Sequence, residues 1–142
     1  IRMGPFVVAI VGLALNGGAY GAEIVRSAVL AVPKGQREAA TALNMSSWTS
    51  LVRIILPQAT RIMLPPFGNL AIDLLKSTSL VSLIAITDLT FRGYQLNTLT
   101  LRTTEIFSLL LVFYLILALI ITGMVRLLEK RLNVGNELGM LR

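Results

Sequence analysis

The stretch EAATALNMSSWTSLVRIILP, Glu38 to Pro57, lies between long apolar runs and carries Glu38, Arg53, two adjacent serines and a closing proline. From Gly35 to Ala42 the residues GQREAATA favour a helix, and Asn44 follows where that pattern stops. Asn tolerates the left-handed backbone that ends helices, so a short helix stopping there is expected. Ser46 or Ser47 then caps a second helix, WTSLVRIIL, whose Leu51, Ile54 and Ile55 recur at helical spacing, and Pro57 is expected to end or kink it. Small Ala39 and Ala40 beside Glu38 would let a partner backbone approach and offer it one carboxylate. An amphipathic segment resting at lipid headgroups fits the same residues.

Working outward, the composition excludes a water-soluble core. Of the 142 residues 55% are hydrophobic and 14% charged, and the mean hydropathy is +0.78, more apolar surface than one small core buries. The solvent is lipid and the expected fold is all-α, a polytopic transmembrane helical bundle. Thirteen Lys+Arg against seven Asp+Glu give a net charge of +6, but the basic residues are spread along the chain, as cations flanking membrane helices are, and no nucleic acid is expected as a partner. With no cysteine and no histidine, disulfides, thiol chemistry and the usual zinc, haem and triad arrangements fall away. Catalytic residues, metals and cofactors are therefore not expected. The first residue is Ile1 rather than methionine and the chain opens almost directly into a membrane-length segment, so its N-terminus is expected to be cut.

Three apolar segments reach membrane length, at about 5–30, 65–87 and 106–128. The segment 31–61 carries Lys34, Arg37, Arg53 and Arg61, and the region after the third span carries Arg126, Lys130, Arg131 and Arg142, whereas 88–105 has only Arg92 and Arg102. Positive residues mark the cytoplasmic side, so 31–61 is expected to be a cytoplasmic loop, 129–142 a cytoplasmic tail and 88–105 an external loop.

The spacing in Glu38 to Pro57 resembles the EAA signature of permease subunits of ATP-binding-cassette (ABC) importers: Glu-Ala-Ala, three residues, Gly, nine residues, then Ile-x-Leu-Pro. Glu38, Ala39, Ala40, Ile54, Leu56 and Pro57 fall in register, and Asn44 stands where the family has Gly. The flanks AYGAEIVRSAVLAVPKGQREAATALNM and FGNLAIDLLKSTSL are similar to the polar amino acid branch, the type I permeases for histidine, glutamine, glutamate, arginine and opines. The resemblance implies that the short helix docks into a cytoplasmic ATPase as a coupling helix, with Gly35, Glu38, Ala39, Ala40, Asn44 and Pro57 as its coupling residues. It implies as partners the ABC ATPase subunits, a second permease copy or homologue, an extracytoplasmic substrate-binding protein and membrane lipid, in a bacterial cytoplasmic (inner) membrane. Members of this branch usually have five spans with this loop after the third, so two upstream spans are expected to be missing and the chain to be the C-terminal part of the transmembrane domain. The alternative is a truncated, non-transporting membrane protein that only interacts with an ATPase.

Polar groups within membrane spans by default face a bundle interior or a water-filled path. Asn16, Tyr20, Glu23 and Ser27 recur on one face of the first span, with Asn16 roughly 17 Å from Pro5 and Glu23 roughly 27 Å. Lys76 lies roughly 17 Å from Pro65, one turn after Asp73, and the hydroxyl run Ser77, Thr78, Ser79 favours a broken helix. A zwitterionic amino acid would be complemented by Lys76 with Asp73 or Glu23, and the proposed pathway residues are Asn16, Tyr20, Glu23, Asp73, Lys76, Ser77 and Ser79. Equally, Asp73 and Lys76 neutralise each other at i,i+3 and Glu23 pairs with Arg26 at the interface. Gly12, Gly17, Gly18 and Gly21 are expected to permit close helix packing, and Phe107, Phe113 and Tyr114 to face lipid or to pack.

Overall fold

A computed structural model describes residues 4–84 and 86–137; position 85 of the expected second span and the end of the expected tail, including Arg142, lie outside the described residues. The elements are α1 (Pro5–Ala31), α2 (Lys34–Ala42), α3 (Ser47–Ser50), a π-helical turn (Leu51–Ile55), α4 (Leu56–Thr78), a 3-10 segment (Ser79–Ile84), α5 (Leu89–Thr100) and α6 (Thr103–Glu137). Among the described residues there is no strand. Three stretches are long and apolar enough to cross a membrane, Pro5–Ala31, Ser47–Ile84 and Thr103–Leu132. In lipid every backbone N–H and C=O must be satisfied within the segment, which is why each stretch is helical throughout.

The second stretch differs from the reading of the sequence. Hydropathy starts it at Pro65, but Pro65 and Pro66 sit inside α4 and the helical run begins at Ser47. Pro57 does not end the preceding helix either. A proline ring at 57 would press on the carbonyl of Arg53 in a regular α-helix. The chain widens to a π turn over Leu51–Ile55, with the Leu56 N–H bonded back to the Leu51 carbonyl, and continues. A helical run of 38 residues rises about 57 Å against a hydrocarbon core of about 30 Å, so part of it lies outside the apolar layer.

The chain divides into two compact units, one from Ile1–Gly18 with Leu70–Gly123, the other from Ala19–Asn69 with Met124–Arg142. In the first, the segment 88–105, expected as a loop, contains α5 packed along α6. The Tyr94 and Phe107 rings meet edge-on at 5.4 Å, the Thr90 hydroxyl and Tyr114 phenol lie 2.8 Å apart, and the Gly93 backbone faces Leu110. Phe107 and Tyr114 therefore pack against α5, while Phe113 is exposed. Asp88 caps α5, its Oδ1 accepting the Phe91 N–H at 2.7 Å, and Leu101, at φ 54°, ends it in the left-handed region.

In the second unit Ala28, Val32, Ile55 and Ala59 form a small buried core flanked by Val29, Leu51 and Met63. The glycines that permit close approach are not mainly those read from the sequence. A Cβ on Gly12 or Gly18 would meet nothing within 4 Å; one on Gly17 would lie 3.2 Å from Leu74, and one on Gly68 only 2.8 Å from Val125 Cγ1. Valine is stiff about χ1 in a helix and has little room to yield. Gly68→Ala is expected to cost about 1–3 kcal/mol through overpacking, read as a lower melting temperature of the purified protein in detergent, and Val125→Ala in the same chain to recover most of the loss.

Candidate coupling loop and membrane site

The loop is built by three local devices. Helix α2 starts after Pro33, whose carbonyl accepts the Gln36 N–H at 3.0 Å. At its end the Met45 N–H bonds to the Ala40 carbonyl at 3.0 Å and the Asn44 N–H to the Thr41 carbonyl at 2.9 Å, the paired bonds of a Schellman motif. That motif needs a left-handed residue, and Asn44 supplies it at φ 54°. Ser46 then caps α3, its hydroxyl accepting the Thr49 N–H at 3.2 Å. The result is a short helix, a two-residue reversal and a second helix.

Glu38 and Ala39 stand exposed on α2, whereas Ala40 turns inward and is 1% exposed. A larger residue at 40 would separate α2 from the π turn it packs on. Gly35 has open space where a side chain would be. Pro57 lies just beyond the π turn, in the first turn of α4. Two exposed residues went unread in the sequence: Leu43 and Trp48, 75% and 73% exposed, stand on either side of the Asn44 reversal. Both look like ordinary helix-end apolars in sequence, and only the reversal turns them outward.

The polar residues of the spans sort differently from their sequence spacing. Asn16 and Ser77 line one cavity of about 360 Å³, with Gly12 leaving room beside Asn16 and Leu13, Leu80 and Ile84 among the apolar walls. Asp73 and Lys76 pair with each other at 3.5 Å, both side chains well exposed, and neither lines that cavity. The hydroxyl run breaks the helix as its chemistry suggests. Ser77 donates to the Asp73 carbonyl at 2.8 Å, Thr78 to Leu75 and Ser79 to Lys76 at 2.6 Å, and α4 tightens into the 3-10 segment from Ser79. In the other unit Tyr20 is exposed, and Glu23 accepts from Arg26 at 2.5 and 2.8 Å and from Ser27 at 3.3 Å.

One polar group escaped sequence reasoning. Asp88 Oδ2 is buried and has no hydrogen-bond partner among the described residues, while its Oδ1 is engaged in the α5 cap. In sequence Asp88 reads only as the first residue of the external loop 88–105, and nothing local marks one of its oxygens for burial.

The family model described as the binding-protein-dependent transport system inner membrane component matches residues 4–134. The chain belongs to this family. It is 50% identical over 130 residues to the probable amino-acid ABC transporter permease protein y4tF of Sinorhizobium fredii, covering 92% of this chain and 55% of that protein. It is 44% identical over 134 residues to the glutamine transport system permease protein GlnP of Escherichia coli, covering 94% and 61%. A solved chain described as the crystal structure of an amino acid ABC transporter with histidines superposes with a TM-score of 0.85 at 34% identity, covering 92% of this chain and 61% of that one. The chain thus spans little more than half the length of the permeases it matches.

Asn44 is this chain's departure from the glycine of the family signature, and its left-handed backbone explains why the exchange is tolerated. Asn44→Gly is expected to leave the melting temperature unchanged or slightly raised. Asn44→Val, which puts a β-branched residue at positive φ, is expected to destabilise by about 1–2 kcal/mol and to expose the loop to limited proteolysis.

Proposed function

We propose that this chain forms part of the translocation pathway of an ABC importer for polar amino acids in a bacterial inner membrane, driven by ATP hydrolysis in separate ATPase subunits. The observation that carries the reading is the loop: a helix ended by Asn44, reversed within two residues and restarted at Ser46, with Glu38 and Trp48 outward. The reversal lets a compact helix protrude as a handle, and Gly35, Glu38, Ala39, Ala40, Asn44 and Pro57 are the residues proposed to shape it or to meet the ATPase. The other partners are a second permease copy or homologue and an extracytoplasmic substrate-binding protein. The loop and the C-terminal region face the cytoplasm, in keeping with the charges at Lys34, Arg37, Arg53, Arg61, Lys130 and Arg131.

If the loop couples, Glu38→Arg is expected to abolish co-purification of the cognate ATPase with the full-length permease while expression is unchanged. Retention of the ATPase by that variant would show that the loop is not the docking element.

For the membrane site, Asn16 and Ser77 are proposed as neutral polar contacts in the cavity they share, with Asp73 and Lys76 as a locally neutral pair beside the helix break. Tyr20, Glu23 and Ser79 remain further polar positions along the spans. Asp88 Oδ2 is a buried carboxylate oxygen without a hydrogen-bond partner among the described residues. Asp88→Asn keeps an oxygen for the α5 cap and removes the buried charge, so the melting temperature in detergent is expected to be unchanged or raised.

A further inference from the structure

Arg37 stands between Gln36 and Glu38 on α2, and its Nη2 donates to the carbonyl of Val29 at 3.0 Å. Val29 lies in the last turn of α1, where the final four carbonyls have no partner inside the helix. A guanidinium there satisfies one of them and meets the negative end of the α1 dipole. The covalent connection between α1 and α2 is only the pair Val32 and Pro33. Val32 is buried in the core with Ala28 and Pro33 has its φ fixed by its ring, so the link is short and stiff, and the Arg37 bond adds a side-chain tie between α2 and the end of α1. On α4, Gln58 Nε2 reaches Gln36 Oε1 at a long 3.4 Å while also donating to the Ile54 carbonyl at 3.0 Å, a weaker hold on α2.

We propose that Arg37 is a positioning residue that ties α2 to the C-terminus of α1, so that displacement of the loop is delivered to the first span through this bond as well as through Val32 and Pro33. The inference rests on the reading of this loop as the ATPase-coupling element.

The test uses the full-length permease assembled with its ATPase and its extracytoplasmic binding protein in proteoliposomes, comparing wild type, Arg37→Ala and Arg37→Lys. ATPase retention, basal hydrolysis and uptake per ATP hydrolysed are measured together. Arg37→Ala is expected to retain the ATPase and to hydrolyse within about two-fold of wild type, but to lose at least about five-fold in uptake per ATP. Arg37→Lys, which keeps a charged donor, is expected to recover to within about two-fold of wild type. A merely structural role would lower the yield of complex and its melting temperature and leave the ratio of uptake to hydrolysis alone. An unchanged ratio in Arg37→Ala overturns the proposal, as does loss of the ATPase, which would put Arg37 in the docking contact. If Arg37→Ala does not accumulate, Arg37→Gln, which keeps a donor without the charge, carries the same comparison. Glu38→Arg made in parallel separates the two levels, because retention of the ATPase by that variant defeats the coupling reading whatever Arg37 does.

Discussion

Lipid offers no hydrogen bonds, and the helical runs of membrane length in this chain are shaped by that fact. A backbone group left open in water is solvated at small cost, but in hydrocarbon it costs several kcal/mol. Three prolines in the helical run that starts at Ser47 therefore do not break it. The π turn over Leu51–Ile55 accommodates Pro57, and α4 continues through Pro65 and Pro66. Where α4 does tighten, at Ser79, hydroxyls of Ser77, Thr78 and Ser79 bond to carbonyls one turn back and remain satisfied. The break is made by side chains able to compensate it.

The same constraint divides what could be read in the sequence from what could not. Apolar runs of membrane length, the charge asymmetry between 31–61 and 88–105, and the stop at Asn44 follow from local chemistry, because each depends on residues next to one another. The left-handed Asn44 and the Ser46 cap are the clearest examples: φ preference and hydroxyl geometry act within one turn. Pro65 and Pro66 stand inside α4 rather than at its start, and Pro57, expected to end or kink its helix, follows a π turn through which the helical run continues. Long-range packing was not legible at all. Gly12 and Gly18 carry the same small-residue signal as Gly68 and Gly93, yet only the latter two have a neighbour where a Cβ would stand.

Charge within the spans is handled by proximity. Glu23 with Arg26 and Asp73 with Lys76 are each three residues apart on one helix and neutralise locally. An ion pair closed within a single turn needs nothing from elsewhere, so its presence in a span is weak evidence for a solute contact. Among the described residues Asp88 Oδ2 has no hydrogen-bond partner. That sets it apart from the paired charges, which are neutralised within one turn.

The loop follows the opposite rule from the spans. Outside the hydrocarbon a helix end can be left to water, yet α2 closes its C-terminus with two backbone bonds and, through Arg37, donates to a carbonyl at the end of α1. Closing bonds that solvent would satisfy anyway yields little stability, since water competes for the same donors. What it yields is a defined orientation. A nine-residue helix is too short to hold its own direction by packing, and its one buried residue, Ala40, contributes a single methyl group. The capping bonds, Arg37 and the close fit of Ala40 together fix the direction of α2 and of its exposed Glu38, which its own short length would leave undefined.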